Sequence, residues 1–119
     1  ERGRLVYQDD DKLYGCLASH PLTDGHVIVV WKAPAADLNM LAIEDYEYLM
    51  DRIDDIRNAM IAVLGVEKVY LLYMDEVHQV HWHLIPRYAE KGPTVLNHQA
   101  AELTDYSPAA KLKEQLARG

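Results

Sequence analysis

The chain has 119 residues, a formal net charge of −7, a single cysteine and a composition that is half hydrophobic. That is one domain's worth of sequence with enough apolar residues for a core, and its acidic balance argues against a surface that grips a nucleic acid polymer, which needs clustered Lys and Arg. Cys16 excludes an internal disulfide, and with neither a long uncharged apolar run nor a signal-peptide pattern the chain reads as cytoplasmic, without a membrane partner.

In chain order, Leu5-Val6-Tyr7 and Leu13 to Ala18 predict two strands joined through Asp9-Asp10-Asp11. Consecutive carboxylates lack the spacing of a calcium loop, so they are read as a turn rather than a metal site. His20-Pro21-Leu22-Thr23-Asp24-Gly25 is loop chemistry, and the β-branched run His26 to Trp31 that follows predicts a buried strand closed by Lys32-Ala33-Pro34. From about Glu44 to Leu64, the apolar Tyr46, Leu49, Met50, Ile53, Ile56, Met60, Val63 and Leu64 recur every three or four residues, and Gly65 ends this helix. The Met and Tyr stripe is assigned to the core rather than to a cofactor site. Val66 to Asp75 predicts a fourth strand, joined in a hairpin to a histidine-rich fifth. Beyond Pro86 the segment Arg87 to Tyr106 has little periodicity, and Ser107-Pro108 are N-cap and first residue of a short helix carrying Leu112 and Leu116. The expected fold is α+β: a mainly antiparallel five-stranded sheet with one long helix and a short C-terminal helix. The whole of 1–119 is taken as one domain, with a core over about 4–88 and an extension over 89–119 laid on the surface or on a partner.

The fifth strand places half of the chain's six histidines within six residues, 78–83. Because successive side chains of a strand point to opposite faces, Val80, Trp82 and Leu84 are expected in the core, while Gln79, His81, His83 and Ile85 share the other face. His81 and His83 then stand about 7 Å apart along the strand, and His78 falls on the wrong parity unless a bulge re-aims it. Two imidazoles on one rigid surface suit nucleophilic chemistry at phosphorus, in which one attacks and its neighbour donates hydrogen bonds to the phosphoryl oxygens. Zinc is the rival chemistry, with His26 or His20 as a third ligand, but no Cys or acidic residue completes the shell at a clear spacing. Plain packing is the third reading, disfavoured by polar residues at alternate positions of an otherwise apolar strand.

Gln79-Val80-His81-Trp82-His83-Leu84-Ile85-Pro86 resembles the signature of the histidine triad (HIT) family, His-φ-His-φ-His-φ-φ with φ apolar. Upstream, Pro21 to Val29 is similar to the family's Pro-x-x-x-Gly-His-φ-φ-φ, and the two motifs stand in the family's order with the long helix between them. The resemblance covers roughly residues 4–88. It implies a HIT-like fold that forms homodimers and acts on a small nucleotide substrate through a covalent nucleotidyl-histidine intermediate. By the same carry-over His81 is the nucleophile, His83 contacts the phosphate and assists the leaving group, and His26 supports the cluster. From the residues themselves, no cofactor and no metal are expected. A backbone carbonyl holding a proton on His81 Nδ1 would leave Nε2 free to attack.

Three departures from the family pattern stand out. Gln79 replaces the first triad histidine and carries no titratable proton. The stretch between Met74 and Gln79 lacks the family's Gly-Gln-Ser or Gly-Gln-Thr phosphate element, and Ala18 stands where relatives often carry an Asn or Asp for the ribose. Asp75 is the substitute considered for substrate binding. The expectation is therefore a hydrolase or nucleotidyltransferase acting at an α-phosphorus, with a catalytically weak or inactive nucleotide-binding module as the alternative.

Overall fold

The computed structural model describes residues 2–8, 11–35, 37–73, 79–88 and 102–118; the expectations for Asp9, Asp10, Asp75, His78 and the stretch 89–101 lie outside those residues. A 3-10 turn at Arg2–Arg4 leads into strands β1 (Leu5–Gln8), β2 (Leu13–Leu17) and β3 (Val27–Trp31). A second turn, Leu38–Met40, precedes helix α1 (Ile43–Leu64), followed by β4 (Lys68–Tyr73), β5 (His81–Arg87) and helix α2 (Ser107–Arg118). The strands form one sheet in the order β1-β2-β3-β5-β4, with every neighbouring pair antiparallel. The expected pairing of β4 with β5 is present, and it leaves β5 in the interior of the sheet with β4 at its edge.

Strand alternation decides which face is buried. Leu13, Leu17, Val27, Val29, Trp31 and Leu84 point to the helical side and join Leu49, Ile53, Ile56 and Met60 of α1 in the core. Their spacing along α1 is the period that predicted the helix. Tyr46 is the exception, since it is 37% exposed and lies at the rim of the stripe. It lines a surface cavity with Leu38, Ile43 and Tyr73 instead of entering the core. Helix α2 packs on α1 and β1, seated by the fully buried Leu112, and burial of one such leucine contributes about 1.5–3 kcal/mol. The cap expected from Ser107 differs in detail. Asp105 Oδ1 accepts the Ser107 backbone N–H at 3.0 Å, so the acidic residue serves the start of the helix.

Among the described residues no helix is long and apolar enough to cross a membrane, and the sheet face opposite the helices has no helix laid on it. That face is the one the histidines occupy. Gly65 ends α1 in the left-handed conformation at φ 69°, as expected for a residue without a Cβ. Gly25 has φ +86° immediately before His26, and a Cβ there would come within 2.7 Å of the Leu64 side chain. The Leu64 end can yield, but the backbone cannot do so cheaply. Gly25→Ala should therefore lower folding stability by about 1–2 kcal/mol, read as a drop in the urea unfolding midpoint. An unchanged midpoint would mean that the turn relaxes.

Candidate active site

Antiparallel register places the cluster. On β5, His81 pairs with Val30 and His83 with Ile28, while His83 also faces Leu72 of β4. The next strand extends the rows, Tyr14 pairing with Val30 and Cys16 with Ile28. His81 and His83 therefore share one face with Tyr14, Cys16, Ile28, Val30 and Leu72. Their ring centroids are 5.4 Å apart, edge to face. Val80 and Leu84 are fully buried on the helical side, as parity predicts, and Trp82 packs there partly buried. Ile85 lies on the histidine face yet is fully buried, so that surface closes over before the strand ends.

His26 precedes the β3 ladder by one residue and is held by backbone bonds on both sides. Its N–H donates to the Thr23 carbonyl at 3.1 Å, and its carbonyl accepts the Ala18 N–H at 2.8 Å. Ala18 thus touches His26 through its backbone, and its methyl offers nothing polar. Thr23 Oγ1 donates to the Pro86 carbonyl at 2.8 Å, tying this loop to the end of β5. His26 is 4% exposed, and its Nε2 lies 3.0 Å from His83 Nδ1.

Groups with only one possible hydrogen-bonding role fix the protons. The Leu22 backbone N–H donates to His26 Nδ1 at 3.1 Å, so that nitrogen carries a lone pair. Burial, helped by the neighbouring His83, pushes the His26 imidazole down to about 4 from its ordinary 6.5, leaving the ring neutral at pH 7. Its one proton is then on Nε2 and is donated to His83 Nδ1. His83, also lowered by burial and by His81, must in its neutral form hold its proton on Nε2. His81 has the opposite tautomer. Its Nδ1 lies 3.1 Å from the Gln79 carbonyl oxygen, which only accepts, so Nδ1 is protonated and Nε2 bears the lone pair. No described residue occupies His81 Nε2 with a hydrogen bond. The pair therefore offers one nitrogen nucleophile and, beside it, one N–H donor.

Gln79 is half-buried and close by, but its amide faces elsewhere. Nε2 donates to the carbonyls of Trp31 at 3.1 Å and Lys32 at 3.4 Å. The backbone groups that set the site, Leu22 N–H and the Trp31 and Lys32 carbonyls, have no signature in sequence, because they do not depend on side-chain type. Among the described residues no three His, Cys, Asp or Glu side chains are grouped to hold a metal ion.

An antiparallel sheet presenting two strand-borne imidazoles, backed by a buried third, defines a histidine-cluster α+β protein. The family model for the HIT domain matches residues 1–90, three quarters of the chain, and the protein belongs to this family. Solved structures share the fold. A zinc-bound histidine triad family protein from Mycobacterium smegmatis is 21% identical, with a TM-score of 0.77 over 96% of this chain and 84% of that one. A hypothetical histidine triad nucleotide-binding protein from Sulfolobus tokodaii is 17% identical, with a TM-score of 0.79 over 97% and 84%. Diadenosine triphosphate hydrolase from Plasmodium falciparum, solved with cyclomarin A, is 17% identical with a TM-score of 0.70 over 99% and 79%. No curated protein matches the chain in sequence.

Proposed function

We propose that the protein is a nucleotide hydrolase or nucleotidyltransferase in which His81 attacks the α-phosphorus of a nucleoside phosphate derivative. The observation that carries this reading is the Gln79 carbonyl against His81 Nδ1, which directs the free lone pair to Nε2. Attack by Nε2 forms a P–N bond as the bond from phosphorus to the leaving group breaks, and the leaving group departs with that electron pair. His83, its Nδ1 occupied by His26, donates from Nε2 to a phosphoryl oxygen or to the leaving group as charge builds there. Water, or another acceptor in a transferase, then displaces His81 and returns the lone pair. Tyr14, Cys16 and Ile28, partly exposed on the same face, offer surface to a base. Membership of the HIT family and the fold shared with a diadenosine triphosphate hydrolase support this chemistry.

The test is a panel of dinucleoside polyphosphates, nucleoside phosphoramidates and nucleotide sugars. Turnover of one class with release of a nucleoside monophosphate is expected. Nucleoside monophosphate binding without turnover of any member would favour the nucleotide-binding module, the reading supported by Ala18 and by an amide at position 79 that is committed to backbone carbonyls.

The homodimer belongs to the same proposal. Edge strand β4 carries Leu71, 41% exposed, and the exposed Ile43 and Tyr46 line a cavity with its Tyr73. A sheet edge with no further strand beyond it among the described residues, flanked by apolar side chains, is suited to a second copy. Sedimentation should give twice 13.6 kDa at micromolar concentration, and Leu71→Glu should weaken association at least about tenfold, or 1.4 kcal/mol. A 13.6 kDa particle from the unmodified chain would contradict the dimer.

A further inference from the structure

Gln79 is half-buried, beside the histidines, and its side chain does not reach toward them. Both near neighbours of its amide, the Trp31 and Lys32 carbonyl oxygens, are pure acceptors, so the amide nitrogen and not its oxygen must face them. The regular pairing of β3 with β5 ends at Val30 and His81. Beyond it, the Trp31 N–H donates to the Val80 carbonyl at 2.9 Å, and the Trp31 carbonyl accepts from the Gln79 side chain. The amide thus stands in for the backbone donor that a continued ladder would supply. One residue thereby does two things: its side chain fastens the start of β5 to the end of β3, and its own carbonyl, fixed by that fastening, accepts the His81 Nδ1 proton.

We propose that Gln79 is a positioning residue whose amide clamp on the Trp31 and Lys32 carbonyls holds its backbone carbonyl beneath His81 Nδ1 and so keeps the His81 Nε2 lone pair toward the substrate. This rests on the reading of His81 as nucleophile. Gln79 makes no contact with substrate in this role and transfers no proton. Without the clamp, the carbonyl turns away, and the His81 ring is free to place its proton on either nitrogen.

The test compares Gln79→Glu, Gln79→His and the unmodified protein by nitrogen-15 NMR of the His81 ring at pH 7.5, assigned with the aid of His81→Ala. Glutamate is isosteric but has no donor for the carbonyls; histidine returns an N–H of similar reach. The unmodified protein and Gln79→His should show the Nδ1-protonated form. In Gln79→Glu a substantial share of the Nε2-protonated form should appear, with the dispersed amide spectrum of a folded chain. With a substrate from the panel, kcat of Gln79→Glu should fall at least about tenfold while KM stays within about twofold, because misplacing a reacting group costs rate more than binding. Gln79→His should recover kcat to within about threefold by the same reasoning. An unaltered His81 tautomer in Gln79→Glu would overturn the proposal, as would an equal loss in Gln79→His. The ring measurement needs no substrate. A protein that turns over nothing yet shows the tautomer shift retains the clamp and loses only the enzymatic reading.

Discussion

Replacing His81 by alanine should lower turnover of the best substrate by roughly four orders of magnitude or more, the scale of loss when a constellation is deprived of its nucleophile. The substitution is mild structurally. His81 is only half-buried and its side chain's one hydrogen bond among the described residues is to the Gln79 carbonyl, so the thermal midpoint should move little while activity disappears. His83→Ala should cost less, about 10²- to 10³-fold, because it removes a donor to developing charge rather than the attacking atom. Steady-state rates for the two variants on one substrate check this order. Equal activity of His81→Ala and the unmodified chain would place the chemistry elsewhere.

The second large effect concerns folding. The His26 imidazole sits at about 4 in the folded protein against an ordinary value of 6.5, chiefly because burial disfavours its charged form. Below pH 6.5 the unfolded chain therefore takes up a proton that the folded chain refuses, and stability falls as pH decreases. Above pH 6.5 both states hold a neutral ring and nothing is lost. Integrated from 6.5 to 4, this single group removes about 3 kcal/mol, and His83, lowered by burial and by His81, acts in the same direction. Urea unfolding midpoints between pH 7.5 and 4 should show the decline. His26→Asn, which keeps an acceptor for the Leu22 N–H, should flatten the slope by the greater part of that amount relative to the unmodified protein. The same slope in both proteins would mean that His26 is charged, or hydrated, in the fold.

Parity and periodicity carry far in this chain because strand and helix impose fixed repeats. They placed His81 and His83 together, Val80 and Leu84 in the core, and the buried face of α1 on Leu49, Ile53, Ile56 and Met60. Tyr46 departs from that stripe because it lines a surface cavity with Leu38, Ile43 and Tyr73, a tertiary circumstance with no local signal. The partnership of His26 with His83 spans 57 residues of sequence. It is visible beforehand only through the resemblance of the Gly25-His26 stretch to a known motif, not through spacing. Strand parity puts Gln79 on the face of the two histidines, and its amide lies on the Trp31 and Lys32 carbonyls. No pattern of residue types forecasts a side chain that pairs with backbone carbonyls. The tautomers follow from the same source, since they are set by Leu22 N–H and the Gln79 carbonyl, backbone groups that do not depend on side-chain type.

A nucleotide held on nitrogen is the direct consequence of a lone pair at His81 Nε2, and rapid-quench mass spectrometry under alkaline conditions, which spare phosphoramidates, can capture it. Mixed with the best substrate and quenched within milliseconds, the protein should gain the mass of one nucleoside monophosphate less water, mapped by peptide fragmentation to His81 and absent from His81→Ala. Rapid turnover with no adduct at any quench time, or an adduct mapped to His83 or His26, would contradict the assignment of His81 as the attacking group.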